Sequence, residues 1–551
     1  MSLWTIIIVA LLFTLTASGV SFTTTTTLNL PGHGILRGGV TSEGVQCFLG
    51  IPFANVTKRW YPASPYNGTW EGERDSTRYG PYCPQIMSGS STIDSPGAVA
   101  SEHDCLNLNV YTPDTNSTKL PVMVWIYGGA FTQGANSFYL YDAANVIPYT
   151  KNISHPVVIV SINYRLDVLG FLAGNDIAAT VANDTSLTGT DKAVGNWGLM
   201  DQKLGLEWVK KNIQHFGGDP ERVTVYGESA GSISIHYHML LNRGLFKRAI
   251  LQSGTINTVP LMPVSDDQPL FDKLLEKYGI DKNLGSQGKV DALRRINYTT
   301  LINDANALGA VPLPRQDNVL IHSDTLKQAL EFEGYDESIE AVIIGDCKDE
   351  GVFFSQFNNL AKPEGYKSYV EMQIPQNLRQ EFMSLYPEPQ SNDTQDWNAL
   401  GSSINGDFMF HGPIHLYAKS WAAHGKYKTW YYHFDQPVEA FIKIMADISN
   451  NTGLPSAVYH GSDVFPTFFR TGVLTPHETL VAQKLVEYWV RFAYGEDLSQ
   501  NGWSSFGTGK VLLFGPDPIS RESEDSRSVG QMNFYQKYIN EILLQNSTLI
   551  E

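Results

Sequence analysis

The sequence predicts an α/β fold, a mostly parallel central sheet covered by helices on both faces. Short, apolar, β-branched-rich runs alternate with helix-length segments over most of the chain, and several of those runs are apolar throughout, as strands buried on both faces are. Size sets the scale. With 551 residues, 42% of them hydrophobic and 17% charged, the chain can bury a large core, and no linker-like stretch, charge run or internal repeat divides it. The expected organisation is a signal peptide over residues 1–19 and a single large domain over residues 20–551.

Residues 4–15 (WTIIIVALLFTL) form an uncharged apolar run followed by the small residues Ala17, Ser18 and Gly19, the pattern of a cleaved secretory signal. The run is shorter than the ~20 apolar residues of a spanning helix, so no stable membrane anchor is expected. Sequons at Asn55, Asn67, Asn116, Asn152, Asn183, Asn297, Asn392, Asn450 and Asn546 suit the same extracellular location and are candidate glycan sites. The threonines from Thr23 to Thr27 read as a disordered terminus in preference to an O-glycosylated tail.

Residues 121–127 (PVMVWIY) and 156–162 (PVVIVSI) read as central strands. Over residues 198–216, Leu199, Leu206, Trp208, Val209 and Ile213 give a helical stripe, broken by Gly217-Gly218-Asp219-Pro220. Strands are expected at 223–226, 249–252, 341–344, 429–434 and 511–514, with a helix over 480–492 before the last. The formal charge of −17, from 39 Lys plus Arg against 56 Asp plus Glu, argues against a nucleic-acid partner and fits neutral or cationic small molecules.

Four cysteines are too few for a disulfide scaffold. Cys83 and Cys105 flank a polar segment and are the expected pair; Cys47, in an apolar stretch, and Cys347, in a polar stretch after a strand, are expected to stay as thiols. No residues have metal-ligand spacing, and no cofactor is expected.

The chemistry lies at Gly227-Glu228-Ser229-Ala230-Gly231, a G-x-S-x-G sequence directly after the apolar run 223–226 and at the start of a helical segment. The chain must turn sharply there, so small residues flank a serine whose hydroxyl is lifted clear of the sheet as a nucleophile. Such a serine needs a base and an acid that orients the base, later in the chain. Asp349 and Glu350 follow the strand at 341–344, and either can be the acid. His411, His415, His424, His433, His460 and His477 all lie downstream, and order alone does not choose among them. Backbone N–H groups of Gly129 and Ala130, at a strand end, together with Ala230 are the candidate oxyanion donors.

At this point the chain resembles the type-B carboxylesterase/lipase family, whose members include cholinesterases, mammalian carboxylesterases and secreted fungal lipases; it looks most like the secreted fungal members. The resemblance runs through residues 48–54, 124–131, Asn163-Tyr164-Arg165, 195–202, 216–220, 227–231, 251–254, Asp349-Glu350-Gly351 and His460-Gly461. It implies the α/β-hydrolase fold, Glu350 as the acid, His460 as the base, and Glu228 and Ser253 as polar neighbours of the triad. It implies a hydrolase that cleaves carboxylic esters through an acyl-enzyme intermediate. The family's glycine triplet is here Gly128-Gly129-Ala130, whose methyl would narrow the acyl site. Its Glu-Asp-Cys becomes Glu102-His103-Asp104-Cys105, which puts the family's structural salt bridge near this loop in question, and no second cysteine pair is present.

The segment between Cys83 and Cys105 corresponds to the family's lid or choline-binding region; it contains no aromatic residue and few apolar ones. That composition disfavours a choline esterase and favours an esterase for soluble or moderately apolar esters. A true lipase acting on long-chain acylglycerols or sterol esters is the alternative, and a non-catalytic binding or adhesion protein the distant one. The partner implied is a small-molecule or lipid ester; the oligomeric state is not legible.

Overall fold

The computed structural model describes residues 20–86, 99–114, 118–355, 359–390, 393–449, 457–469, 472–525 and 529–548. The signal-peptide residues therefore lie outside the described chain, as do Asn116, Asn392, Asn450 and the side chain of Asn546. Of the other sequons, Asn67, Asn152, Asn183 and Asn297 are exposed and Asn55 is half-buried.

The strands that organise the molecule are β1 (Thr24–Leu30), β2 (Gly34–Val40), β3 (Val45–Pro52), β4 (Asn107–Pro113), β5 (Leu120–Ile126), β6 (Val158–Ile162), β7 (Gly218–Glu228), β8 (Arg248–Gln252), β9 (Ala341–Cys347), β10 (Lys428–Phe434), β11 (Lys510–Phe514) and β12 (Ser520–Glu524). They lie in the order β1-β2-β3-β4-β6-β5-β7-β8-β9-β10-β11-β12, with the short strand Glu73–Asp75 beside β2. From β6 to β11 every neighbouring pair is parallel. The flanks, β1 to β4 with the β4–β6 pair, and β11 with β12, are antiparallel. The expected α/β architecture is therefore present, with an antiparallel N-terminal flank that the sequence reading did not anticipate.

The threonine run is the clearest correction. Thr24 to Thr27 open β1 and pair with β2 from Thr24↔Val40 to Leu30↔Gly34. β-Branched threonines fit the pleat of an edge strand, and with one face exposed they need no apolar pattern to mark them. The helix expected over 198–216 is α1 (Trp197–Asn212), which tightens into a 3-10 turn at Ile213–Phe216. Cys347 is not in a polar loop but is the last residue of β9, buried like Cys47. Its strand runs on past residue 344 because each backbone group keeps a partner in β10, up to Cys347↔Phe434.

Helices α2 (Ala230–Leu241), α3 (Thr394–Gly406), α4 (Gly412–His424) and α5 (Pro476–Tyr494) follow; α2, α4 and α5 pack against the sheet, and α3 against the turn at Glu350–Phe354. α5 begins with a capping box, Thr475 and Glu478 each bonding the other's backbone N–H, and ends at Gly495 in the left-handed region. β5, β6 and β9 are buried along their whole length, which explains their unbroken apolar sequences. Because the central strands are parallel, the turns that follow β5, β7, β8 and β9 gather at one edge of the sheet, where ligand sites of such sheets form.

A disulfide joins Cys83 to Cys105. Beside it Arg59 and Glu102 form a buried ion pair, Nη2 to Oε2 at 2.9 Å, so the inserted His103 has not cost the loop its salt bridge. His103 instead turns its Nδ1 to the carbonyl of Val56 at 2.8 Å. A second buried pair, Arg165 with Asp201, makes two side-chain bonds of 2.7 Å and ties the turn after β6 to α1; Asp201 also accepts the Arg165 backbone N–H. Removing one charge would leave the other buried and unpaired. Arg165→Leu is expected to cost about 3–5 kcal/mol, read as a lowered urea midpoint; an unchanged midpoint would show that the pair is dispensable.

Candidate active site

Ser229 stands between β7 and α2 with φ 55° and ψ −122°, a conformation that costs a non-glycine residue about 1–3 kcal/mol. Its N–H donates to the carbonyl of Gln252 at the end of β8 (2.9 Å), and its own carbonyl accepts the N–H of Ile233 (2.9 Å). The turn is pressed against the end of β5. A Cβ on Gly231 would lie 2.0 Å from the Ile126 carbonyl oxygen, so only glycine permits this approach. A Cβ on Gly128 would meet Ser229 Cβ at 3.0 Å, which places the loop after β5 directly beside the serine.

That loop has positive φ at three successive residues, Gly129 (103°), Ala130 (52°) and Phe131 (61°). The N–H groups of Gly129 and Ala130 donate to no acceptor among the described residues. Ala230 is the first residue of α2, so its N–H has no partner within the helix and faces out with the positive end of the helix dipole. The three unpaired donors thus flank one serine.

Glu350 and His460 meet, although 110 positions separate them: His460 Nδ1 donates to Glu350 Oε2 at 2.5 Å, while Glu350 Oε1 accepts the backbone N–H of Cys347 at 2.7 Å. The neighbouring carboxylate has a different task. Asp349 accepts the Val458 N–H at 2.8 Å, and its own N–H donates to the Val458 carbonyl at 3.0 Å, so Asp349 carries the histidine loop to the end of β9. The other ring nitrogen of His460, Nε2, lies 3.2 Å from Glu228 Oε1. Glu228 immediately precedes Ser229, so Nε2 stands beside the turn that carries the hydroxyl.

Burial at 6% exposure opposes a charge on His460, but Glu350, Glu228 and Asp463 favour it more strongly and hold the imidazole above its usual range. Burial pushes Glu228 up as well; His460 lowers it and the carboxylates of Asp463 and Glu350 raise it further. Phe410 and Phe354 lie against the imidazole, with ring centroids 4.6 and 5.5 Å away, and exclude water from it. Ser253 is fully buried at the turn after β8, with φ 53° and its N–H bonded to the Gly345 carbonyl.

Comparison with known proteins decides the family. The model of the Carboxylesterase family matches residues 24–526. The chain belongs to the carboxylesterase family. This carboxylesterase is similar to the para-nitrobenzyl esterase of Bacillus subtilis (strain 168), with 32% identity over 72% of the chain and 76% of that protein. It is similar to Lipase 4 of Diutina rugosa, with 33% identity over 69% and 75%, and to the acylcarnitine hydrolase of Mus musculus, with 29% over 82% and 79%. A solved PNB esterase superposes with a TM-score of 0.74 at 26% identity, covering 93% of this chain and 99% of that one. The fold is the α/β-hydrolase fold, and the protein is a carboxylic ester hydrolase.

Other parts of the carboxylesterase site gave no usable sequence signal. Asp463 is fully buried three residues beyond His460, where Tyr432 (2.6 Å) and Gln252 (2.9 Å) donate to its Oδ2. Phe410 reaches His460 from a single π-helical turn, Asp407–His411, whose register no hydrophobic period shows. Gln85 grips the loop of Gly129 from the disulfide side.

The remaining downstream histidines are engaged elsewhere or exposed. His433 Nδ1 donates to Asp346 (2.7 Å), and its Nε2 lies 3.3 Å from Asp525. His411 Nδ1 faces Asp346 at 3.3 Å and His415 Nδ1 faces Asp525 at 2.9 Å. His424 stacks on Phe332, and His477 is exposed. Among the described residues no group of His, Cys, Asp and Glu could hold a metal ion.

Burial opposes the His433 charge, but the two aspartates outweigh it and raise the group to about 9. A raised histidine stabilises the fold fully below its unfolded value of about 6.5, and that contribution is lost as pH rises through about 9. Wild type should therefore lose thermal stability between pH 7 and 10 more steeply than His433→Gln. Parallel curves in a melting series across that range would refute the linkage.

Proposed function

We propose that this carboxylesterase cleaves soluble or moderately apolar carboxylic esters through Ser229, His460 and Glu350, as a secreted enzyme. The observation that carries the reading is the approach of the Glu350–His460 pair to the Ser229 turn at Glu228, beside three N–H donors without partners among the described residues. Neutral His460 takes the Ser229 proton as the oxygen attacks the ester carbonyl. Glu350 keeps the proton of His460 on Nδ1, leaving Nε2 as the base, and stabilises the imidazolium. The N–H groups of Gly129, Ala130 and Ala230 receive the oxyanion. The imidazolium then protonates the departing alcohol, and water, activated by the same histidine, releases the acid.

Secretion is supported by the apolar run over residues 4–15, by the disulfide and by the exposed sequons at Asn67, Asn152, Asn183 and Asn297. The Diutina rugosa lipases support a kinship with secreted fungal members, while bacterial and mammalian relatives match at comparable identity.

The test is a p-nitrophenyl ester series from acetate to palmitate on protein recovered from the medium of a secretory host, with Ser229→Ala alongside. Short and medium chains should turn over best, Ser229→Ala should lose at least about a thousandfold in kcat, and the mature chain should begin near Val20. An optimum at palmitate that rises at an oil interface would make the enzyme a lipase. Equal activity in the variant would remove Ser229 from the mechanism, and retention of the protein inside the host would refute secretion.

The pH profile tests the electrostatics. The acid limb of kcat/KM should lie above the ordinary imidazole value of about 6.5, because the surrounding carboxylates favour the protonated ring. Glu228→Gln removes one of them and should move that limb to lower pH; a limb that stays in place would show that Glu228 does not act on His460.

A further inference from the structure

We propose that Gln85 is a positioning residue for the oxyanion donors, fastening the loop that carries Gly129 and Ala130 to the Cys83–Cys105 disulfide. The proposal rests on the reading of those two N–H groups as oxyanion donors.

The geometry is a clamp on one residue. Gln85 Oε1 accepts the N–H of Gly134 at 2.9 Å, and Gln85 Nε2 donates to the carbonyl of the same residue at 2.9 Å. A single amide thus pairs with both backbone polar groups of Gly134, as a neighbouring strand would. Nε2 also donates to the carbonyl of Cys83 at 3.0 Å, which fixes the amide against the disulfide two residues away. Gly134 has φ 131°, and a Cβ there would lie 2.3 Å from the ring of Tyr127, so the clamped position admits only glycine.

From Gly134 the effect reaches the donors through one carbonyl. The oxygen of Gly129 accepts the N–H of Thr132 (3.0 Å), the N–H of Gln133 (3.2 Å) and the hydroxyl of Thr132 (3.1 Å). In a trans peptide the carbonyl of one residue and the N–H of the next point in opposite directions. Turning the Gly129 oxygen in toward Thr132 and Gln133 therefore turns the Ala130 N–H out of the loop. Gln85 holds the residue that follows Gln133, and so steadies the two residues whose three donors orient that peptide plane.

The loop needs such a tether because its positive φ values at Ala130 and Phe131 are strained for residues with a Cβ. The opposite side has its own anchor, the Asp167 N–H on the Phe131 carbonyl at 2.7 Å. Beyond the loop, Asn136 is fixed by its N–H on Asn163 Oδ1 at 2.8 Å. Between these two anchors, the hydrogen bonds of Gly134 among the described residues are those with Gln85.

The experiment compares wild type, Gln85→Met, Gln85→Glu and Ser229→Ala as full chains. Methionine fills the space without hydrogen bonds; glutamate keeps the acceptor for the Gly134 N–H. Kinetics on p-nitrophenyl acetate, inhibition by an aliphatic trifluoromethyl ketone, and hydrogen exchange of a peptide spanning residues 128–134 are measured together.

Gln85→Met should lower kcat about 10- to 100-fold with KM within about twofold, weaken the ketone by the same factor, and speed exchange in that peptide. Its melting temperature should stay within about 3 °C of wild type, and Gln85→Glu should fall between the two proteins in kcat. The proposal is overturned if Gln85→Met matches wild type in kcat and in exchange, or if exchange rises equally across the whole chain. Turnover by Ser229→Ala equal to wild type, or none by wild type, would overturn the proposed function instead; the exchange arm still decides whether Gln85 holds the loop.

Discussion

The contact between the Ser229 turn and the end of β5 is the constraint on which the site depends. It forces glycine at position 231, brings the loop of Gly128 to Ala130 against the serine, and holds Ser229 at φ 55°. Such a conformation survives only where its surroundings over-determine it. Here they include the parallel pairing of β7 with β5 and β8, the bond from Ser229 N–H to Gln252, and the start of α2. The strain is local, whereas the structure that holds it in place is the central sheet.

Around that turn, charge is arranged by burial as much as by pairing. Glu350, Glu228 and Asp463 surround one imidazole in a space largely closed by Phe354 and Phe410. Burial and the close approach of other carboxylates raise the proton affinity of Glu228 and Asp463, and the carboxylates around it raise that of the histidine they share. Elsewhere the fold builds a similar cluster from Asp346, His433, His411, His415 and Asp525, where it ties β10, α4 and the segment after β12 together.

Much of the central sheet was legible because buried parallel strands announce themselves as unbroken apolar runs; β5, β6, β8 and β10 fall close to where those runs lie. β1 was not legible, since an edge strand of threonines with one exposed face carries neither an apolar run nor a strict alternation. The end of β9 was missed because Asp346 and Cys347 read as loop residues, while pairing with β10 keeps them in the sheet. The serine turn was legible because its sequence is local: the strand, the glycines and the helix start are contiguous.

The sequence by itself determined the family, the glycine-flanked serine turn and the order of the acidic and basic candidates, all properties of short segments or of residue order. Only the tertiary structure decided that Glu350 meets the imidazole while Asp349 carries its loop, that Asp463 and Phe410 enclose it, and that Gln85 grips Gly134. Each of those contacts joins residues distant in the chain or adjacent ones facing opposite ways. No period or motif records them, because the sheet and the helix packing around it set which distant backbones come within hydrogen-bond reach.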